Sequence, residues 1–172
     1  RFTRMRLPDA KGIQDMYAGV VENENRNELL VTDTLNLIQE GRTPILLTER
    51  KEHAALLASR LSDKVKNVFL LIGSDKQKEK REKMAALQNV PEDVVVVATG
   101  KYIGEGFDSP RLDTLLLAMP ISWKGTLAQY AGRLHRNYEG KHEVRIYDYV
   151  DIHVPTLERM YHKRLKGYAE LG

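Results

Sequence analysis

The sequence predicts a three-layer α/β domain in which a mainly parallel sheet carries helices on both faces. Three observations point to it. Short apolar runs alternate with segments of helical periodicity, which implies right-handed crossovers between neighbouring strands. The runs are continuous, as strands buried on both faces require. The chain of 172 residues, 42% hydrophobic and 30% charged, is of one-domain size and can bury a core.

Arg26 to Glu40 reads as a helix, with Leu30, Leu37 and Ile38 at helical spacing and Gly41 and Pro44 as a stop. Pro44 opens a strand through Ile45, Leu46 and Leu47 that ends at Thr48. A helix over Lys51 to Leu61 puts Ala54, Leu57, Ala58 and Leu61 on one side. Val68 to Ile72 is a strand, Gly73 a turn, and Ser74 with Gln77 a capping box opening a charged helix to Leu87. Val94 to Ala98, the most β-branched run, is the next strand and leads into a loop. Thr114 to Ala118 is a strand, Thr126 to Leu134 a helix and Val144 to Tyr149 the last strand. Pro155 starts a closing helix in which Leu157, Tyr161, Leu165 and Tyr168 share a face. Residues 1–25, with a short strand over Phe2 to Leu7, read as a linker and appended segment, and 26–172 as the domain.

Composition excludes several classes. Without cysteine there is no disulfide framework, thiolate zinc site, iron–sulfur cluster or cysteine nucleophile, which points to a reducing compartment. No apolar run approaches the roughly 20 residues that cross a bilayer, so the reading is a cytoplasmic protein with no membrane partner. The five histidines share no metal-ligand spacing, and no metal site is expected. A net charge of +3 tolerates a nucleic-acid partner without demanding one.

Ligands of doubly wound sheets bind beyond the carboxyl ends of strands, so the loops after Thr48, Ile72, Ala98 and Ala118 are the places for function. The loop from Ala98 to Pro110 holds Gly100, Gly104 and Gly106, whose bare backbone can approach an anion or ribose or can simply make a turn. Its spacing fits neither the dinucleotide fingerprint nor a phosphate loop. The second constellation runs from Gln129 to Arg136, where Arg133 and Arg136, three apart, face one anion or serve as solvated arginines at a helix end. Lys76, Lys78, Lys80, Arg81 and Lys83 read as a solvated helix face, though one that follows a candidate strand-contact loop. Trp123 reads as loop packing or a base-stacking platform.

The two constellations in this order resemble motifs V and VI of superfamily 2 helicases and translocases, in their C-terminal RecA-like domain, a fold of the P-loop NTPase type. Ala98-Thr99 through Gly106-Phe107-Asp108-Ser109-Pro110 is similar to motif V, and Gln129 through Arg136 to the motif VI pattern Gln-x-x-Gly-Arg-x-x-Arg. Ile45 to Thr48 resembles motif IV, and Ile72-Gly73 with Arg81 the short motif that follows it. The resemblance spans Arg26 to Tyr149 and is nearest to bacterial DEAD/DEAH-type helicases of restriction-like systems.

The resemblance implies that ATP with Mg²⁺ is held mainly by an N-terminal RecA-like domain of the same polypeptide, onto which this domain closes. It makes Arg136 an arginine finger, Arg133 its companion and Gln129 a neighbour of the phosphates or attacking water, all three catalytic. Gly106 and Asp108 would lie at the ribose. Thr99, Gly73 and Lys101 would contact the backbone of the nucleic acid, DNA being favoured over RNA. Ile72 stands where histidine is common, and His135 where many DEAD-box members have glycine. The sequence holds no phosphate loop and no acidic box, so this chain alone is expected to be catalytically silent, and Arg1 as first residue fits a C-terminal piece. Two other readings stand beside this one: an α/β module that binds a nucleotide or sugar nucleotide without a motor, and a nucleic-acid-binding or protein-interaction domain that kept the fold and lost the cycle.

Overall fold

The computed structural model describes residues 1–104, 109–122, 125–136 and 138–171, with the side chains at 103, 104, 125, 126 and 133 outside that description. The chain runs α1 (Ile13–Glu22), α2 (Glu24–Gln39), β1 (Pro44–Thr48), α3 (Lys51–Ser62), β2 (Asn67–Leu71) and α4 (Gln77–Asn89). It continues through β3 (Val94–Thr99), α5 (Gly100–Gly104), β4 (Thr114–Leu117), α6 (Gly125–Leu134), β5 (Arg145–Asp148) and α7 (Pro155–Leu171). The strands form one sheet in the order β2-β3-β1-β4-β5, and every pairing among the described residues is parallel.

Alternation along the central strands divides the core. Ile45, Leu47, Val96 and Leu115 face the layer of α4, α5 and α6, where they meet Leu87, Tyr102 and Leu127. Leu46, Val95, Val97 and Leu116 face α2 and α3, against Leu30, Leu37 and Leu57. Because both faces are covered, β1, β3 and β4 are apolar without interruption. Helix α1 belongs to a third cluster, in which Val20 packs with Met5, Met119 and Leu157.

Several expectations need correction. Phe2 to Leu7 forms no strand: Phe2 makes an isolated bridge to Val150, and Met5 turns into the α1–α7 cluster instead of continuing along the sheet. Helix α2 starts earlier than Arg26, because the Asn23 side chain accepts from Arg26 N at 2.9 Å and caps it. Helix α4 starts at Gln77 and not in a Ser74 box: the Ile72–Asp75 turn occupies Ser74, and the Glu79 carboxylate accepts from Lys76 N at 3.0 Å. The loop after Ala98 contains α5. On α7 the buried face is Leu157, Arg164 and Gly167, while Leu165 is 42% exposed. Arg164 takes the inward place by forming a bidentate pair with Asp148 at 2.7 and 2.8 Å, which satisfies its charge.

Candidate functional site

The parallel register sets the ends of β1, β2 and β3 side by side, with Thr48 opposite Thr99 and Leu71 opposite Ala98. Thr99 ends β3, Gly73 lies in the turn after β2, and Lys101 is in the first turn of α5. The structure brings these three together: Gly73 N–H donates to Thr99 Oγ1 at 3.3 Å, and a Cβ on Gly73 would stand 2.8 Å from Lys101 Cδ. Glycine is what lets the lysine stem lie across this turn. The turn is braced from behind, since Lys83 Nζ donates to Leu70 O and to the Asp75 carboxylate, each at 2.7 Å. Lys83 is therefore not a solvated charge, and the Lys80 ammonium lies 5.3 Å from the Tyr102 ring centroid.

Sequence reasoning passed over Glu49. Its Oε1 lies 2.7 Å from where a Cβ on Gly100 would be, so the carboxylate rests on the first residue of α5 beside Lys101. Desolvation of that carboxyl raises its pKa above the ordinary carboxylate range. Behind β1 a polar chain crosses the core. Thr48 donates its hydroxyl to His53 Nδ1 (2.9 Å), His53 Nε2–H donates to Asn27 Oδ1 (2.8 Å), and Asn27 Nδ2 donates to Val21 O (2.8 Å). Burial, aided by the charges of Arg26 and Arg60, lowers the His53 pKa to about 3, so the imidazole is neutral and this tautomer satisfies both nitrogens.

The second set sits elsewhere. Helix α6 begins past the carboxyl end of β4 and, as a parallel crossover requires, runs back toward the start of β5. Two buried arginines hold its entrance: Arg26 donates to Ala118 O while paired with Asp151 at 3.1 Å, and Arg164 donates to Ile121 O at 2.9 Å. Gln129 is exposed on the helix, and α6 ends at Leu134, so the exposed Arg136 lies beyond it. The last turn of α6 tightens, with His135 N–H donating to Gly132 O at 3.3 Å. Arg136 is thus not in a loop beyond a strand's carboxyl end, as the general rule for such sheets predicts. The Arg133 side chain, Gly106, Asp108, Trp123 and Lys124 lie outside the described residues. Among the described residues no cluster of His, Cys, Asp or Glu could hold a metal, and no helix is long and apolar enough to cross a membrane.

This all-parallel sheet with helices on both faces is the RecA-like α/β fold found in helicase domains. The chain aligns with the T4 protein UvsW at a TM-score of 0.77 and 17% identity, over 95% of this chain and 36% of that one. It aligns with DEAD-box helicase domain 2 of Mss116p, bound to an RNA duplex, at a TM-score of 0.59 and 19% identity, over 80% of this chain and 56% of that one. In sequence it is 32% identical over 161 residues to the protein named Putative helicase 161L of Invertebrate iridescent virus 6, covering 87% of this chain and 34% of that protein. It is 39% identical over 82 residues to Uncharacterized protein 108L of Invertebrate iridescent virus 3, covering 48% of this chain and 74% of that protein, and belongs to the same family. No protein-family model matches the chain. The chain spans about a third of the length of the iridescent virus helicase-named relative.

Proposed function

We propose that this chain is the C-terminal motor domain of an ATP-dependent nucleic-acid helicase or translocase, closing on a nucleotide held by an N-terminal RecA-like domain of the same polypeptide. The observation that carries the reading is the separation of two motif groups on one helicase-type fold: Gly73, Thr99 and Lys101 along the carboxyl edge, Gln129 and Arg136 along and just past α6. The division of residues 1–25 as an appended segment and 26–172 as the motor domain belongs to the same proposal.

The carboxyl edge suits a phosphate backbone. Lys101 supplies a charge, and the Thr99 hydroxyl and Gly73 amide supply donors that turn from each other toward an entering phosphate; their mutual 3.3 Å bond is long enough to exchange at little cost. Glu49 beside Gly100 gives the edge a polarity: a phosphate is repelled from that end and drawn toward Lys101. His135 in the place of the DEAD-box glycine supports DNA over RNA as the strand.

The α6 group suits the other partner. ATP with Mg²⁺ brings a γ-phosphate on which negative charge rearranges as the bond to the β-phosphate breaks. Arg136, exposed past the helix end, and Arg133 act on that charge, Gln129 lies beside the phosphates, and Gly106 and Asp108 take the ribose. The residues present fit an arginine-supplying role and no more, because the sequence contains neither a phosphate loop nor an acidic box. The test is ATP turnover by the two-domain polypeptide with single-stranded DNA, with RNA and with neither. Stimulation by DNA is expected; turnover indifferent to any strand contradicts the motor reading, and stimulation by RNA alone reverses the strand assignment.

A further inference from the structure

We propose that Lys141 is a positioning residue for Arg136, clamping the end of the glycine-rich loop to the segment that carries the arginine. The inference rests on the reading of Arg136 as an arginine finger. Lys141 Nζ donates to Arg136 O at 2.9 Å and to Pro110 O at 3.0 Å. Pro110 closes the motif V run two residues after Asp108, and Arg136 follows α6, so one ammonium joins the ribose-side and phosphate-side segments.

Local structure explains how the lysine gets there. After Arg136 the chain reverses: Lys141 N–H donates to Tyr138 O at 3.0 Å, and Gly140 adopts a φ of +81°, which a side chain would strain. The reversal returns Lys141 beneath the residue it supports. A lysine is suited to the task, since an ammonium carries three donors around a point charge and can serve carbonyls from two directions. The bonds go to main-chain oxygens and not to the guanidinium, so they fix where the arginine side chain starts. That distinction matters because a displacement of about 1 Å at a reacting group can cost about a hundredfold in rate.

The test is a double-mutant cycle in the two-domain polypeptide, read as strand-stimulated kcat and as KM for ATP. Lys141→Met is expected to lower kcat by about tenfold to a hundredfold with KM within about threefold, and Lys141→Arg to recover most of the rate. In an Arg136→Ala background the same Lys141→Met change is expected to cost less than about threefold, since no finger remains to be misplaced. Thermal melting checks the fold, and Lys141→Gln replaces Lys141→Met in the cycle if the latter melts early. Equal losses in both backgrounds, or no loss in either, overturn the clamp while leaving Arg136 as finger. A normal rate for Arg136→Ala overturns the finger and the clamp together.

Discussion

The carboxyl edge of β2 and β3 and the far end of α6 are built in opposite ways. Thr99 is the last residue of a fully buried strand in the interior of the sheet, and parallel register with β1 and β2 fixes its position. Gly73 is tied to it, and Lys83 with Asp75 braces the turn. Arg136 has left its helix, is exposed, and has its main chain held by a side chain arriving from a later turn. A backbone track can be finished within one domain because its ligand is a repeating, tolerant array of phosphates. A group that acts on a phosphate held by another domain gains from an adjustable mounting, since its productive position exists only when the two domains close.

The largest expected effect breaks the second region. In the two-domain polypeptide Arg136→Ala should lower ATP turnover by about 10³-fold or more with ATP affinity within about tenfold, because a finger contributes as charge develops. Arg133→Ala should be nearly as damaging. Steady-state turnover alongside direct ATP binding separates the two quantities.

A smaller effect probes the frame behind the first region. His53 is neutral in the folded chain, with its pKa lowered to about 3, whereas an unfolded imidazole titrates near 6.5. Below about pH 6.5 the unfolded chain binds the extra proton, so this residue's contribution to stability is complete above that pH and falls as pH drops toward 3. The slope approaches about 1.4 kcal/mol per pH unit. Urea unfolding at pH 7, 6 and 5 measures it, and His53→Gln should flatten the dependence while lowering stability at pH 7 through the lost bonds to Thr48 and Asn27. An equally steep dependence in the variant would assign it to other groups.

Smaller still is the track itself. Lys101→Ala should weaken strand binding by roughly threefold to tenfold and reduce the log–log salt slope by about 0.7 to 0.9, the share of one phosphate contact. An unchanged slope would remove Lys101 from the track. The smallest effect is the control: Arg145→Ala breaks bonds to Glu40 and Glu143 that are exposed to solvent and contribute little, and turnover should stay within about twofold. A large loss there would mean that positive charge in general, and not the motif arginines, sustains turnover.

The same contrast governs what could be read from the sequence. Strands such as Ile45 to Thr48 and Val94 to Ala98 were legible because burial on both faces leaves an uninterrupted apolar run. Their parallel order followed from the helices between them. The buried charges were not legible. Arg26 and Arg164 look like solvated helix residues, and only tertiary structure brings Asp151 and Asp148 to them across 125 and 16 residues. Leu165 was placed inward because leucine at helical spacing is ordinarily core, but the charge pair of its neighbour Arg164 took the inward position. Helix α5 reads as loop because two of its five residues are glycine. The motif resemblance pointed to Gly73, Thr99 and Arg136, but Glu49 lies against a backbone and Lys141 bonds two carbonyls, features no side-chain pattern records.

The central claim is that this chain carries a nearly finished track and an unfinished nucleotide site. It is tested most directly by giving the purified chain both ligands: a labelled single strand titrated at two salt concentrations, and ATP turnover measured in the presence of that strand. Weak binding that falls steeply with salt, together with ATP hydrolysis no faster than buffer, is the predicted result. Strand-stimulated turnover by this chain alone that survives stringent purification, or tight binding indifferent to salt, would contradict it.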